Sequence, residues 1–185
     1  SYIGIKSQVD IGERRAEFNE LKEFKMNILD LIDSNSQNHY FQESDSILLR
    51  DIKDNIKDGG PKVFFIAPVD GYVTQGINEK KNHNGIDIVS EMGEIIVAPL
   101  DGVVIFSGSN GHLGNSLIIS HMYNYFTVYG HCDTLFAKER NKVQKGEVVA
   151  RIGQSGKATA PHLHFEIWHN DSIIDPRNVI NKYGD

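Results

Sequence analysis

Pro161-His162-Leu163-His164-Phe165-Glu166-Ile167-Trp168 is the stretch from which the rest of the chain is read. Along a strand, side chains alternate between faces. His162, His164 and Glu166 then share one face, and Leu163, Phe165 and Ile167 share the other. The second set is core-like. The first puts two imidazoles on the surface of a sheet, at neighbouring positions about 7 Å apart. One ring can hold a metal ion while the other reaches a reacting group. The competing reading is two exposed polar residues on a half-buried strand. This stretch alone does not choose between them.

The surrounding sequence has the same β character. Short apolar segments separated by Gly-containing turns recur at 94–98, 102–106, 116–120, 125–129 and 147–152. Such spacing predicts an all-β domain. Ala67-Pro68-Val69-Asp70-Gly71-Tyr72-Val73 echoes Ala98-Pro99-Leu100-Asp101-Gly102-Val103-Val104, and each copy predicts a strand entered through an Asp-Gly turn. Two copies do not make a repeat architecture.

The pattern changes near Gly59-Gly60-Pro61. Upstream, Phe18, Leu21, Phe24, Ile28, Leu31 and Ile32 recur at steps of three and four, as on one helix face. Asp10 and Glu13 suit a capping box at its start. Leu48, Leu49, Ile52 and Ile56 mark a second helix, and residues 34–39 read as the turn between them. The expected fold class is α+β: a helical hairpin over 1–60, then an antiparallel β domain over 61–185 with an open groove floored by the sheet. Packing of the helical stripe is favoured over a coiled-coil stalk or dimer surface, because Arg14 and Lys25 break the heptad.

Composition narrows the function. The 185 residues are 39% hydrophobic and 24% charged, with net charge −6. Residues 1–60 hold 8 basic and 12 acidic residues, so this part is itself acidic. No Lys/Arg cluster marks a nucleic-acid or anionic-membrane footprint. The single Cys132 excludes an internal disulfide and a multi-cysteine zinc site. No apolar run approaches the roughly 20 residues of a membrane helix. The chain starts at Ser1 with no visible signal peptide, which fits a product whose targeting segment or anchor lies upstream.

Six of the eight histidines lie between positions 112 and 169, and another is His83. In His83-Asn84-Gly85-Ile86-Asp87, the glycine and the alternation after it suggest a turn running into a strand. That spacing lets a ring nitrogen and a carboxylate oxygen converge on one ion. His131 follows a predicted strand in Tyr129-Gly130-His131 and can project from its end. Two histidines and one aspartate form a three-ligand set with a position left for water, as catalytic zinc sites require. Two further histidines remain to manage protons. His39, His112, His121 and His169 lie in turns or at strand ends and receive no role.

Taken in order, Asn82–Ile88, Ala98–Val104, Tyr129-Gly130-His131, Val143–Gly146, Ile152–Gly156 and Thr159–Glu166 resemble the lysostaphin-like, LytM-type zinc metallopeptidases that cut peptidoglycan peptides. The resemblance covers roughly residues 62–180, including Ile174-Asp175-Pro176, and leaves the first 60 out. It implies one zinc ion on His83, Asp87 and His164, with His131 and His162 as the catalytic histidines. All five positions are intact, unlike the degenerate relatives that serve as activators or scaffolds. Cys132 stands where many relatives carry an apolar residue. It reads as a small buried hydrophobe, with an extra ligand or redox switch the minor alternative.

The implied activity is a zinc-dependent endopeptidase acting on peptidoglycan stems or cross-links. The alternative is an autoinhibited enzyme, or a non-catalytic peptidoglycan-binding or activator module on the same fold. Wall cutting implies an extracytoplasmic site in the cell envelope, in the periplasm or at the cell surface. For residues 1–60 the readings are a cover over the groove, self-association, or the binding of a regulatory protein.

Overall fold

A computed structural model describes residues 63–170 and 172–184. The helical hairpin expected over 1–60 lies outside the described residues. Within them the chain is mostly antiparallel β sheet. The strands are β1 (Tyr72–Gln75), β2 (Ile86–Val89), β3 (Ile95–Val97), β4 (Gly102–Asn110), β5 (Gly114–His121), β6 (Tyr125–Leu135), β7 (Lys142–Val143), β8 (Val148–Ile152), β9 (Leu163–His169) and β10 (Ser172–Ile174). Every pairing among them is antiparallel. The main path runs β1-β2-β9-β6-β5-β4-β7. Off it, β10 pairs with β9, and β8 pairs with β6 and β3. No helix among the described residues is long and apolar enough to cross a membrane.

Both Asp-Gly steps precede a strand, as their echo predicts, and the reason is close backbone approach. A Cβ on Gly71 would lie 2.3 Å from the Val89 carbonyl oxygen, and one on Gly102 would lie 2.5 Å from that of Ser120. Only glycine admits the neighbouring strand at that distance.

The larger core cluster includes Ile86, Ile88, Ile96, Leu117, Ile119, Tyr129, Val149, Ile152, Leu163, Phe165 and Ile167. Thus Leu163, Phe165 and Ile167 do form a buried face of β9. A smaller cluster holds Ile118, Phe126, Val128 and Trp168, at alternate positions of the same strands, with Leu113 from the turn before β5. Each large apolar side chain so buried contributes about 1.5–3 kcal/mol.

Two strand expectations change. His164 and Glu166 are only 5% and 7% exposed, so the polar face of β9 is no solvent face. Strands β2 and β6 flank β9, and Trp168 continues this face into the smaller apolar cluster. The strand expected over 125–129 runs on to Leu135. His131 therefore sits inside a strand instead of projecting from its end. Register accounts for its placement: Asn115 pairs with Cys132 and Leu117 with Tyr129, so Gly130 and His131 together oppose Ser116. That is a β-bulge, which re-aims a side chain. His131 takes φ +63 there, a left-handed conformation that is uncommon for a residue with a side chain.

Candidate metal centre

His83, Asp87 and His164 come together. One ligand atom from each lies within 4.8 Å of the others. Pairing between β2 and β9 does most of this. Asp87 sits directly opposite His164 in the antiparallel register, although 77 positions separate them. Directly opposed residues share a face with Cβ atoms about 4.5–5.5 Å apart. His83 arrives from the loop before β2. Asn78 and His83 close that loop with reciprocal backbone bonds of 2.8 and 3.0 Å. Inside it, residues 79–81 make one 3-10 turn, and Asn82 ends the turn in the left-handed region. Gly85 then passes so near β9 that a Cβ would lie 2.3 Å from the Phe165 carbonyl oxygen and 2.9 Å from Glu166 Cγ.

The hydrogen bonds define which nitrogen of each ring faces the centre. His83 Nδ1 donates to the Gly76 carbonyl at 2.8 Å, leaving Nε2 at 2.9 Å from Asp87 Oδ1. His164 Nε2 lies 2.9 Å from Glu166 Oε1, and its Nδ1 lies 2.9 Å from the same Asp87 Oδ1. A neutral imidazole has one N–H, whereas each of these rings meets an oxygen acceptor at both nitrogens. Something positive must therefore stand between the inward nitrogens and Asp87: either added protons or a cation. Two imidazole nitrogens and a carboxylate oxygen are the donor set of a zinc site with an open position, so the residues fit such an ion.

The electrostatics agree. Burial pushes the Asp87 carboxyl's pKa up, but the bonds to His164 and His83 outweigh it and hold the group well below the usual carboxylate range. Burial pushes the His164 pKa down, yet the bonds to Asp87 and Glu166 carry it up to about 9. A neutralising cation would stand where that proton is held.

His131 and His162 lie beside this set, with ring centroids 4.7 Å apart. His162 Nδ1 donates to the Ala160 carbonyl at 2.8 Å, and its Nε2 is 3.8 Å from Asp87 Oδ1. His131 Nδ1 donates to the Ser155 carbonyl at 2.8 Å. Each ring thus turns its Nε2 lone pair away from the backbone. Burial lowers the His131 pKa to about 4, against the opposing effect of the Ser155 bond, so this ring is neutral near pH 7.

Gly130 makes room for these rings. It pairs with His164, and a Cβ there would lie 3.3 Å from His164 Cβ and 3.0 Å from Leu113 Cδ2. Ser155 ties the loop after β8 to the bulge. Its hydroxyl accepts from the Asn115 amide at 2.9 Å and donates to the Cys132 carbonyl at 2.7 Å. Gly114 and Gly156 meet at the same place, both at positive φ.

Cys132 is fully buried in the larger core, and burial pushes its thiol up to about 12. It is absent from the metal-capable group, which suits the reading as a small hydrophobe. Sequence reasoning gave no role to Glu166 or Ser155. The only advance signal for Glu166 was its place on the His162/His164 face. Ser155 acts through its backbone carbonyl, which no side-chain pattern reveals.

A family model described as peptidase family M23 matches residues 81–176, more than half of the chain. A stretch of 97 residues, 52% of this chain, is 36% identical to the DD-carboxypeptidase/endopeptidase Mpg of Neisseria meningitidis serogroup B and covers 22% of that protein. A stretch of 112 residues, 59% of the chain, is 36% identical to the murein hydrolase activator NlpD of Salmonella dublin and covers 29% of it. The chain therefore spans under a third of these curated relatives. Among solved structures, a zinc-containing peptidase from Vibrio cholerae is similar with TM-score 0.58 and 32% identity, over 61% of this chain and 39% of that one.

Proposed function

We propose, from the premise that the chain belongs to peptidase family M23, that it is a zinc-dependent endopeptidase acting on peptidoglycan peptides in the cell envelope. His83, Asp87 and His164 hold the zinc. The observation that carries this reading is the pair of imidazoles with acceptors at both nitrogens around one carboxylate oxygen. When bound, zinc supplies a Lewis acid that polarises a scissile carbonyl and makes water a nucleophile near neutral pH.

The other steps belong to the chain's own side chains. His131 and His162 present Nε2 acceptors side by side, so one takes a proton from the attacking water, and that same proton then passes to the leaving amine, directly or through the neighbouring ring. Burial keeps His131 neutral and ready to accept. The backbone carbonyls of Ser155 and Ala160 hold the two rings in the tautomer that frees Nε2.

A second reading has one specific support: the similarity to a protein named as a murein hydrolase activator. On that reading the same fold recruits or stimulates another hydrolase. Both histidines that are not ligands are present and oriented here, and activation alone supplies no reason for them.

Mass spectrometry of fragments released from purified peptidoglycan, with and without a zinc chelator, tests the choice. Chelator-sensitive release of peptides with a new amine terminus supports the peptidase and identifies the bond. No release by zinc-loaded protein, before and after removal of residues 1–60, overturns it in favour of the activator.

A further inference from the structure

Four histidines surround the centre, and three are oriented by backbone carbonyls. His83, His131 and His162 each donate Nδ1–H to a carbonyl, at Gly76, Ser155 and Ala160. His164 is reversed. Its Nδ1 faces Asp87, so its outward atom is Nε2, at the far tip of the ring. The Glu166 carboxylate receives it at 2.9 Å. Glu166 stands two residues on and therefore on the same face of β9. Its second oxygen, Oε2, accepts from Trp168 Nε1 at 2.6 Å. Trp168 is two residues further on the same face and is 1% exposed. Gly85 leaves the space that Glu166 occupies, since a Cβ there would lie 2.9 Å from Glu166 Cγ.

We propose that Glu166, itself held by the Trp168 indole, is the positioning residue that sets the His164 tautomer, keeping the proton on Nε2 and turning the Nδ1 lone pair toward the metal. This rests on the reading of His83, Asp87 and His164 as the zinc ligands. Tautomer exchange of His164 would point an N–H at the ion, and a ring flip would point the Cδ2–H at it. A carboxylate on the outer nitrogen prevents both, and such partners are worth about 10–100-fold in metal affinity. Carboxylate chemistry is required because both neighbours donate. A glutamine offers one oxygen and one NH2 group, so when its oxygen serves His164 its amide meets the indole N–H donor to donor.

The test uses the full chain as wild type, Glu166→Gln, Glu166→Ala, Trp168→Phe, His164→Ala and the double variant E166Q/W168F. Zinc affinity is read by competition with a chromophoric chelator, unfolding is followed without metal, and the His164 tautomer is read by nitrogen NMR of the metal-free protein at a pH high enough to make the ring neutral. The expected result is a loss of about 10–100-fold in zinc affinity for Glu166→Gln and Glu166→Ala. Trp168→Phe loses less, and the double variant regains affinity over Glu166→Gln because the opposed donor is gone. Once deprotonated to the neutral ring, wild-type His164 carries its remaining proton on Nε2. A merely structural role would lower metal-free stability without moving zinc affinity or the tautomer. The proposal is overturned if the Glu166 variants bind zinc within about twofold of wild type, or if the neutral ring of metal-free His164 is protonated on Nδ1 alone. If wild type binds zinc, His164→Ala abolishes it and the Glu166 variants do not move it, only this inference falls. If wild type binds no zinc, the ligand reading falls as well.

Discussion

On one face of β9, Leu163, Phe165 and Ile167 are fully buried among aliphatic and aromatic side chains from the rest of the sheet. On the other, His164 and Glu166 are nearly as buried but are held by directional bonds, with Trp168 closing the row. The first face asks only for apolar volume of the right shape, and such cores tolerate volume-conserving exchange. The second asks for particular atoms at particular distances, because a buried polar group without its partner costs about 1–3 kcal/mol. One strand therefore separates two kinds of cost. Damage to the apolar face lowers stability and spares the chemistry that remains. Damage to the polar face should remove chemistry as well, at the stability cost of each buried group left without its partner.

The largest separation is expected at the ligands. His164→Ala should abolish zinc binding and activity together, whereas His162→Ala should keep zinc and lose about 10²–10⁴-fold in turnover. Metal analysis beside peptidoglycan digestion checks this, and full activity in either variant would break the assignment. A chelator should also lower the unfolding midpoint of wild type, because a ligand bound only to the folded state stabilises it, and leave that of His164→Ala unchanged.

Next is the apolar face. Phe165→Ala should cost about 3–5 kcal/mol by denaturant titration. The fraction that remains folded should bind zinc with wild-type affinity. A large change in zinc affinity there would erase the distinction between the faces.

The loop that carries Ser155 gives a sharper test. A Cβ on Gly156 would lie 2.4 Å from the Gly114 amide nitrogen and 2.5 Å from the His112 carbonyl oxygen, at φ +66. Gly156→Ala should therefore push the Ser155 carbonyl off His131. We expect activity to fall about tenfold or more, since misplacement near 1 Å can cost about a hundredfold, with zinc affinity unchanged. Equal losses in both would mean that the loop supports the ligands and not His131.

The smallest effect lies away from the centre. His121 is buried between the Asp101 carbonyl and the Thr127 hydroxyl, and burial lowers its pKa to about 4. The unfolded chain takes up that proton near pH 6.5. Between these values the unfolded state binds more protons, so stability is full above about 6.5 and declines as the pH falls toward 4. The loss attributable to this ring is at most about 3 kcal/mol. His121→Gln should show a shallower loss between pH 7 and pH 5 by denaturant titration. Equal slopes in both proteins would remove His121 as the cause.

Much of this division can be read in the residues themselves. Alternation along 161–168 separated the apolar from the polar side of β9, and the His83/Asp87 spacing beside His162 and His164 pointed to a metal. Periodicity and spacing are local properties, so a linear chain displays them. Burial of the polar side was not legible, because it depends on which strands flank β9. His131 was expected at a strand end for a similar reason: a bulge is a mismatch between two strands and is invisible in either one. Glu166 stood on the right face without a role, since its role comes from the His164 nitrogen it meets and the indole behind it.

The sequence by itself determined the β character of 63–184 and the apolar side of β9. These follow from side-chain chemistry and a repeat of two residues. Only the tertiary structure decided that Asp87 faces His164 across 77 positions, that a bulge turns His131 toward His162, and that Glu166 and Trp168 lock His164 from behind. The physical reason is that register and hydrogen-bond direction belong to pairs of strands, and no single segment contains them.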